Sequence, residues 1–136
     1  LLNSGIPLTI IGCDLCFGDA VLKSPEIDRL LTMGEKQRFF GKCLQRQKTS
    51  NMEKGRGCIA TLPDAVAMSV ALWDDIVTGS TPVFCYCRTR EEPDYGQVII
   101  HRQDGGLYKD KAKNAEVITG INAALFKKRL MELLLK

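Results

Sequence analysis

Histidine is almost missing from this sequence, and several longer signals are missing altogether. One His occurs in 136 residues, so a His-based metal cluster or a Ser/His/Asp relay has very little to be built from. No apolar run approaches the roughly 18 residues that a membrane-spanning helix requires. There is no GxGxxG and no P-loop; Gly12-Cys13-Asp14 does not open a phosphate loop, because the next helix signal comes only at Ser24. Charge of one sign is also lacking. Nineteen Lys and Arg stand against 16 Asp and Glu, a formal charge of +3, too small to argue for nucleic acid or an acidic membrane surface. Basic residues gather in residues 35–56 and 109–113 without interleaved aromatics, the pattern of a solvated surface and not of a nucleic-acid track. The opening Leu1-Leu2-Asn3-Ser4-Gly5 has neither an initiator Met nor a signal-peptide layout. A chain that begins this way is expected to continue something longer.

What is present is ordinary globular material: 45% apolar, 26% charged and 7% aromatic residues, enough for one domain with a modest core. Six cysteines stand at 13, 16, 43, 58, 85 and 87. Cys13-Asp14-Leu15-Cys16 has the spacing of a zinc or redox pair. Its only counterpart is Cys85-Tyr86-Cys87, which is no CxxC knuckle, so reduced and mostly buried thiols in an intracellular, cytoplasmic protein are the plainer expectation.

Residues 8–16 (LTIIGCDLC) are short, apolar and β-branched, which predicts a strand buried on both faces and therefore parallel. Ser24-Pro25-Glu26 predicts a helix start with Ser as N-cap, and Gly34 its end. Residues 35–48 predict a second amphipathic helix with Phe39, Phe40, Cys43 and Leu44 on one side, and residues 49–57 a polar basic loop. Residues 64–76 (DAVAMSVALWDDI) are apolar at nearly every position. A helix without a polar face is expected to be covered on all sides. After Thr78-Gly79-Ser80, strands are expected at 83–88, at 97–102 and, shorter, at 116–120, with Asp104-Gly105-Gly106 as a turn. Residues 121–136 predict a closing helix whose inner stripe is Leu125, Leu130, Leu133 and Leu134. The succession is that of an α/β chain, and of an incomplete one, since one clear parallel strand cannot form the sheet that such a buried helix needs.

Asp64 is the most informative candidate for chemistry. A carboxylate at a helix start can cap backbone N–H groups or bind a cation, and a single Asp does not decide between them. Asp14 and Asp19 invite an acid-pair reading, but Asp14 is expected inside the strand and Asp19 in the turn after it, where hydrogen-bonded structural roles suit them better.

Four stretches, in chain order, resemble the inosine/uridine-preferring nucleoside hydrolase family. They are Pro7-Leu8-Thr9-Ile10-Ile11-Gly12-Cys13-Asp14-Leu15-Cys16, Ser24-Pro25-Glu26-Ile27-Asp28-Arg29-Leu30, Leu62-Pro63-Asp64-Ala65-Val66-Ala67-Met68-Ser69-Val70-Ala71-Leu72, and the tail from Gly96-Gln97-Val98-Ile99-Ile100. The resemblance runs along almost the whole chain and makes residues 1–136 a single partial domain, the C-terminal portion of an open, Rossmann-like α/β fold with a small β-rich segment. It implies cleavage of the N-glycosidic bond of a purine or pyrimidine ribonucleoside. It also implies a Ca²⁺ cofactor that binds the attacking water and the ribose hydroxyls, with Asp64 as one metal ligand and the others on an Asp-rich motif upstream. Residues 35–48 correspond to the family's flap over the base, which makes Arg38, Phe39, Phe40 and Gln45 candidate substrate contacts. Family members commonly form dimers or tetramers, so a homo-oligomer is an expected partner. One position departs from the pattern. Many members carry His just before the Asp that matches Asp64, as an acid for the departing base; here it is Pro63, which has no proton to give. His101, in the C-terminal β segment, reads as an ordinary strand residue and not as a relocated acid. The alternative is therefore a non-catalytic relative or fragment that keeps the scaffold for binding or assembly.

Overall fold

The structure, a computed structural model, describes residues 1–101 and 108–135. The elements run β1 (Thr9–Ile11), α1 (Asp14–Phe17), β2 (Leu22–Lys23), α2 (Ser24–Leu31) and α3 (Glu35–Glu53). They continue with β3 (Ile59–Ala60), α4 (Pro63–Leu72), a 3-10 turn (Asp74–Ile76), β4 (Val77–Cys87), β5 (Val98–His101), β6 (Ala115–Ile121) and α5 (Ala123–Leu134). The expected Asp104-Gly105-Gly106 turn and the last residue of the second expected strand, Arg102, lie outside the described residues. Among the described residues, no helix is long and apolar enough to cross a membrane. The chain divides into two compact units, one of Leu1–Gly12 with Thr78–Gly120, the other of Cys13–Val77 with Ile121–Lys136.

The first unit is built on a four-stranded sheet in the order β1-β6-β4-β5. β1 runs parallel to β6, with Ile10 opposite Val117, as the apolar run at the start of the chain predicts. β4 and β5 are antiparallel, with Cys85 opposite Ile100. The buried residues are Val83, Cys85, Ala115 and Val117, covered by Leu2, Leu8, Ile10 and Ile100. Asn114 holds this sheet like an extra strand residue. Its amide oxygen accepts from the Cys85 N–H (2.8 Å), and its nitrogen donates to the carbonyls of Cys85 (2.8 Å) and Leu2 (2.9 Å). β4 begins at Val77, six residues before the expected start, and Gly79 is the reason. A Cβ on Gly79 would meet the Thr119 Oγ1 at 2.8 Å, and one on Gly120 the Thr78 Oγ1 at 2.7 Å. Read in sequence Gly79 is a turn residue ahead of the strand; in the sheet Gly79 and Gly120 are the residues that let β4 and β6 close on each other.

β1 itself is shorter than expected, and its residues are at most half-buried. Residues 14–17 coil into α1, whose Asp14 opens the helix instead of lying inside a strand. Four of the six cysteines (13, 43, 58 and 87) are exposed and only Cys16 and Cys85 are buried. The expectation of mostly buried thiols is thus corrected, because Cys43 lies on the outer face of α3 and Cys13 precedes the buried turn of α1.

The second unit packs helices over the β2-β3 pair, in which Leu22 faces Ala60. Its core is Leu22, Ile27, Leu30, Leu44 and Ala60, against which Phe40, Leu62, Leu130, Met131 and Leu134 pack. Lys23, not Ser24, is the N-cap of α2; the Glu26 carboxylate accepts the Lys23 N–H at 2.7 Å and so satisfies one orphan donor of the first turn. α3 runs to Glu53, through half of the expected loop. Gln47 and Asn51, one turn apart, hydrogen-bond Thr61 Oγ1 and the Ile59 carbonyl, both at 3.0 Å, which holds the extra turn on β3. Gly41, at mid-helix in α3, is buried where a Cβ would stand 3.1 Å from Leu30 Cβ and Leu31 Cδ2. α2 and α3 touch there with no space between them.

α4 stops at Leu72, four residues short of expectation. Trp73 is extended, and the following turn buries Ile76, whose carbonyl accepts the Asn122 N–H at 2.8 Å. The same turn presents Asp75 to Arg129 of α5 as a bidentate pair, at 2.5 and 2.7 Å, while the guanidinium lies 5.2 Å from the centre of the Trp73 ring. In α5, Phe126 is the residue fully buried and Leu133 is exposed, so the inner stripe is rotated from the expected one. α4 is not covered on all sides either: Met68 and Leu72 are 58% and 60% exposed, with only Val66 and Ser69 buried.

Two outcomes follow from this packing. Gly41→Val should lower stability by about 1–3 kcal/mol, since α2 must retreat or Leu31 leave its rotamer; a urea midpoint equal to wild type would show that the close approach carries no weight. The Arg129 guanidinium, chiefly through its hydrogen bonds, holds the Asp75 carboxyl below the usual carboxylate range. A carboxyl lowered in the folded state adds stability at neutral pH and loses it as pH falls through that lowered value. Thermal midpoints of wild type and Asp75→Asn should therefore differ at neutral pH and converge in acid below the ordinary value of 3.8. A gap that persists unchanged into strong acid would remove the pair from the stability of the fold.

Candidate functional site

The chain enters α4 through the buried Thr61 and the half-buried Leu62. Pro63 takes the first helical position, where its missing N–H costs nothing and its fixed φ suits the turn. Asp64 follows in the second position and is exposed. It makes no hydrogen bond or ion pair with any described residue, and the helix start carries no side-chain cap. The capping role open to it is therefore not taken. Its carboxylate stands by the first-turn N–H groups, where the helix dipole favours negative charge by typically 0.3–1 kcal/mol, with its oxygens uncommitted.

α1 packs against α4. Burial pushes the Cys16 thiol up, and the neighbouring Cys13, Asp14 and Asp64 add to it in that order. Two carboxylates, Asp14 and Asp64, thus lie within electrostatic reach of one buried sulfur. Reading residues 8–16 as a single strand missed this neighbour; the signal available was a charged residue breaking the apolar run just before Gly18. Asp19, the other acid considered with Asp14, is exposed in the turn. Neither Asp14 nor Asp19 makes a side-chain hydrogen bond with any described residue, and both are exposed.

Calcium takes 6–8 oxygen ligands. Among the described residues no group of three or more His, Cys, Asp or Glu side chains could hold a metal ion. These residues alone do not fit a complete calcium site, and no catalytic step runs through an ion held by them. Asp64 fits as a single ligand, because its oxygens are accessible and uncommitted.

The four α3 candidates divide. Arg38, Phe39 and Gln45 are exposed, Phe39 at 71%, whereas Phe40 packs on the Leu22–Leu44 core. His101 lies in the first unit, within an aromatic group of Phe84, Tyr86 and Tyr108 whose ring centres are 4.2 to 6.2 Å from its own. Its Nε2 is buried with no hydrogen-bond partner among the described residues. A hollow of about 440 Å³ in the first unit is lined by Pro7, Pro82, Lys113 and Glu116 among others, and an apolar one of about 110 Å³ lies between α4 and α5 in the second. Asp64 and the α3 residues line neither. The division in α3 can be measured by denaturant melts: Phe40→Ala should cost about 2–4 kcal/mol and Phe39→Ala less than about 0.5. Equal losses would mean that both rings belong to the core.

Comparison with known proteins bears on what this arrangement is for. A family model described as inosine-uridine preferring nucleoside hydrolase matches residues 1–128. No curated protein matches the chain. Among solved structures, a purine-preferring ribonucleoside hydrolase from Gardnerella vaginalis superposes with a TM-score of 0.79 at 21% identity, over 98% of this chain and 41% of its own. An inosine-guanosine nucleoside hydrolase gives 0.74 at 20% identity, over 95% and 39%. The chain thus spans about two-fifths of the length of these structures and has their fold.

Proposed function

Since the chain belongs to the inosine-uridine preferring nucleoside hydrolase family, we propose that it is the C-terminal portion of a calcium-dependent nucleoside N-ribohydrolase, with Asp64 as a metal ligand. The observation that carries the reading is the uncommitted Asp64 carboxylate at the start of α4 in a chain matched through residues 1–128. The remaining oxygens would come from chain outside these 136 residues. The exposed apolar flank of α4, Met68 and Leu72, supports a further covering segment of the same protein, because large apolar side chains side by side on one helix are more stable when covered.

The reaction is a hydrolysis. Water adds its oxygen to the anomeric carbon of the ribose, the N-glycosidic bond breaks, and the base leaves with the bonding pair and takes up a proton. A bound hard cation would supply Lewis acidity and orient the sugar hydroxyls and the water. Asp64 contributes a fixed negative oxygen at a rigid helix start. Phe39 offers an exposed ring face on which a base can stack, Arg38 offers donors one position before it, and Gln45 is exposed further along the same helix. Pro63 contributes no proton, so the departing base is protonated from another group or from solvent.

Pro63 also favours the second reading, a non-catalytic member that keeps the scaffold for binding or assembly. The two separate in one experiment, on the chain joined to its upstream sequence. The hydrolase reading expects turnover of inosine or uridine that a calcium chelator abolishes, a drop on the order of 10²-fold or more in kcat/KM for Asp64→Asn, and a thermal midpoint changed by no more than about 1 kcal/mol of stability. Equal turnover by both versions would remove Asp64 from the mechanism. No turnover by either, with a ribonucleoside still bound, would establish the second reading.

A further inference from the structure

In the Cys13-x-x-Cys16 pair the second thiol is buried and the first exposed, and the proposed reaction uses neither. Cys13 has α-helical dihedrals (φ −61°, ψ −23°) and its carbonyl accepts the Cys16 N–H at 2.9 Å, so the four residues form one closed helical turn. Residues three apart on such a turn have Cα atoms about 5 Å apart from helix geometry, inside the 4.4–6.8 Å window in which a disulfide closes. The two thiols are unequally placed. Cys13 is exposed, at the end of the turn that no further helix precedes; Cys16 is 3% exposed and faces α4. One sulfur is open to an incoming reagent and the other is shielded from it but adjacent to the first. Both are thiols in the structure.

We propose that Cys13 and Cys16 form a reversible dithiol–disulfide site that exchanges with small-molecule disulfides of the glutathione type. The Cys13 thiolate attacks one sulfur of the reagent, a new S–S bond forms, and one thiolate leaves and takes up a proton. The Cys16 thiol then loses its proton and attacks the Cys13 sulfur. This closes the intramolecular disulfide and expels the second small thiol. Two protein thiols are oxidised and one reagent disulfide is reduced to two thiols, so atoms and electrons balance. Side chains three apart on a helix stand about 5–6 Å apart at Cβ, more than the ~3.8 Å of a relaxed disulfide. Closure therefore draws Cys13 inward, and a bridge strained in this way is of the readily reduced, regulatory kind. Its closure locks the turn that packs on the helix bearing Asp64. The site rests on the geometry of this turn and not on the hydrolase reading.

The test incubates the chain with mixtures of oxidised and reduced glutathione, blocks remaining thiols by alkylation, and digests with trypsin. Lys23 is the first tryptic site, so the peptide of residues 1–23 carries Cys13 and Cys16 and no other cysteine. The expected product is that peptide with two hydrogens lost, restored by dithiothreitol. Cys16→Ser should stop at one glutathionyl group on Cys13, and Cys13→Ser should leave Cys16 unmodified. The proposal is overturned if wild type also stops at the mixed disulfide. It is equally overturned if the peptide stays reduced while the exposed Cys43, Cys58 and Cys87 are glutathionylated, or if closure in buffer needs no more oxidising a mixture than closure in denaturant, where the turn imposes no strain.

Discussion

The first turn of α4 is the constraint from which the functional reading hangs. A helix start exposes backbone N–H groups that want a negative partner. Pro63 removes one of these donors and fixes the approach of the chain, and Asp64 follows it with a charge that no described residue neutralises. A carboxylate engaged in capping would have fewer lone pairs to offer; this one keeps them all. The Ser69 hydroxyl, buried and donating to the Val66 carbonyl at 2.7 Å, satisfies the only polar side chain in the helix interior, so the rest of α4 adds nothing that competes with Asp64 for a cation.

Around that turn the second unit is rigid where it must be. Gln47 and Asn51 tie α3 to β3, and Arg129 ties α5 to the turn that follows α4. Between these fastenings α3 shows two kinds of aromatic residue one position apart. Phe40 is turned into the core and Phe39 out of it, since neighbours in sequence stand about 100° apart around a helix of 3.6 residues per turn. The division leaves one ring to hold the helix on the core and the other open to solvent.

Membership of the family is a property of this chain, and so is the proline that stands directly before Asp64. Proline at position 63 is a good helix opener and an impossible acid. Leaving-group protonation is separable from nucleophile activation: the first needs a proton donor near the base, the second an oxygen-rich environment near the sugar. In the proposed reaction Asp64 would bear only on the second. The exposed Cys13 and shielded Cys16 add a covalent feature on the element that packs against α4, with no part in either step.

A good deal was legible from residue order alone. The run at residues 8–11 is parallel to β6 because an apolar, β-branched segment suits a covered strand, and Ser24-Pro25-Glu26 marks a helix start to within one residue. The helical character of 63–72 and the position of Asp64 in its first turn follow from an apolar run opened by Pro-Asp. What residue order did not determine depended on neighbours distant in the chain. Gly79 read as a turn because a glycine carries no local sign of whether it bends the backbone or makes room for another strand; only the approach of β4 and β6 decides. α3 outruns its expected end because Gln47 and Asn51 find β3, a partner about ten positions further on. Asp14 lies in α1, the helix that packs on α4, instead of in the expected strand. Local preference sets which conformations a segment can adopt, and the free energy of burial, available only once the segments meet, selects among them.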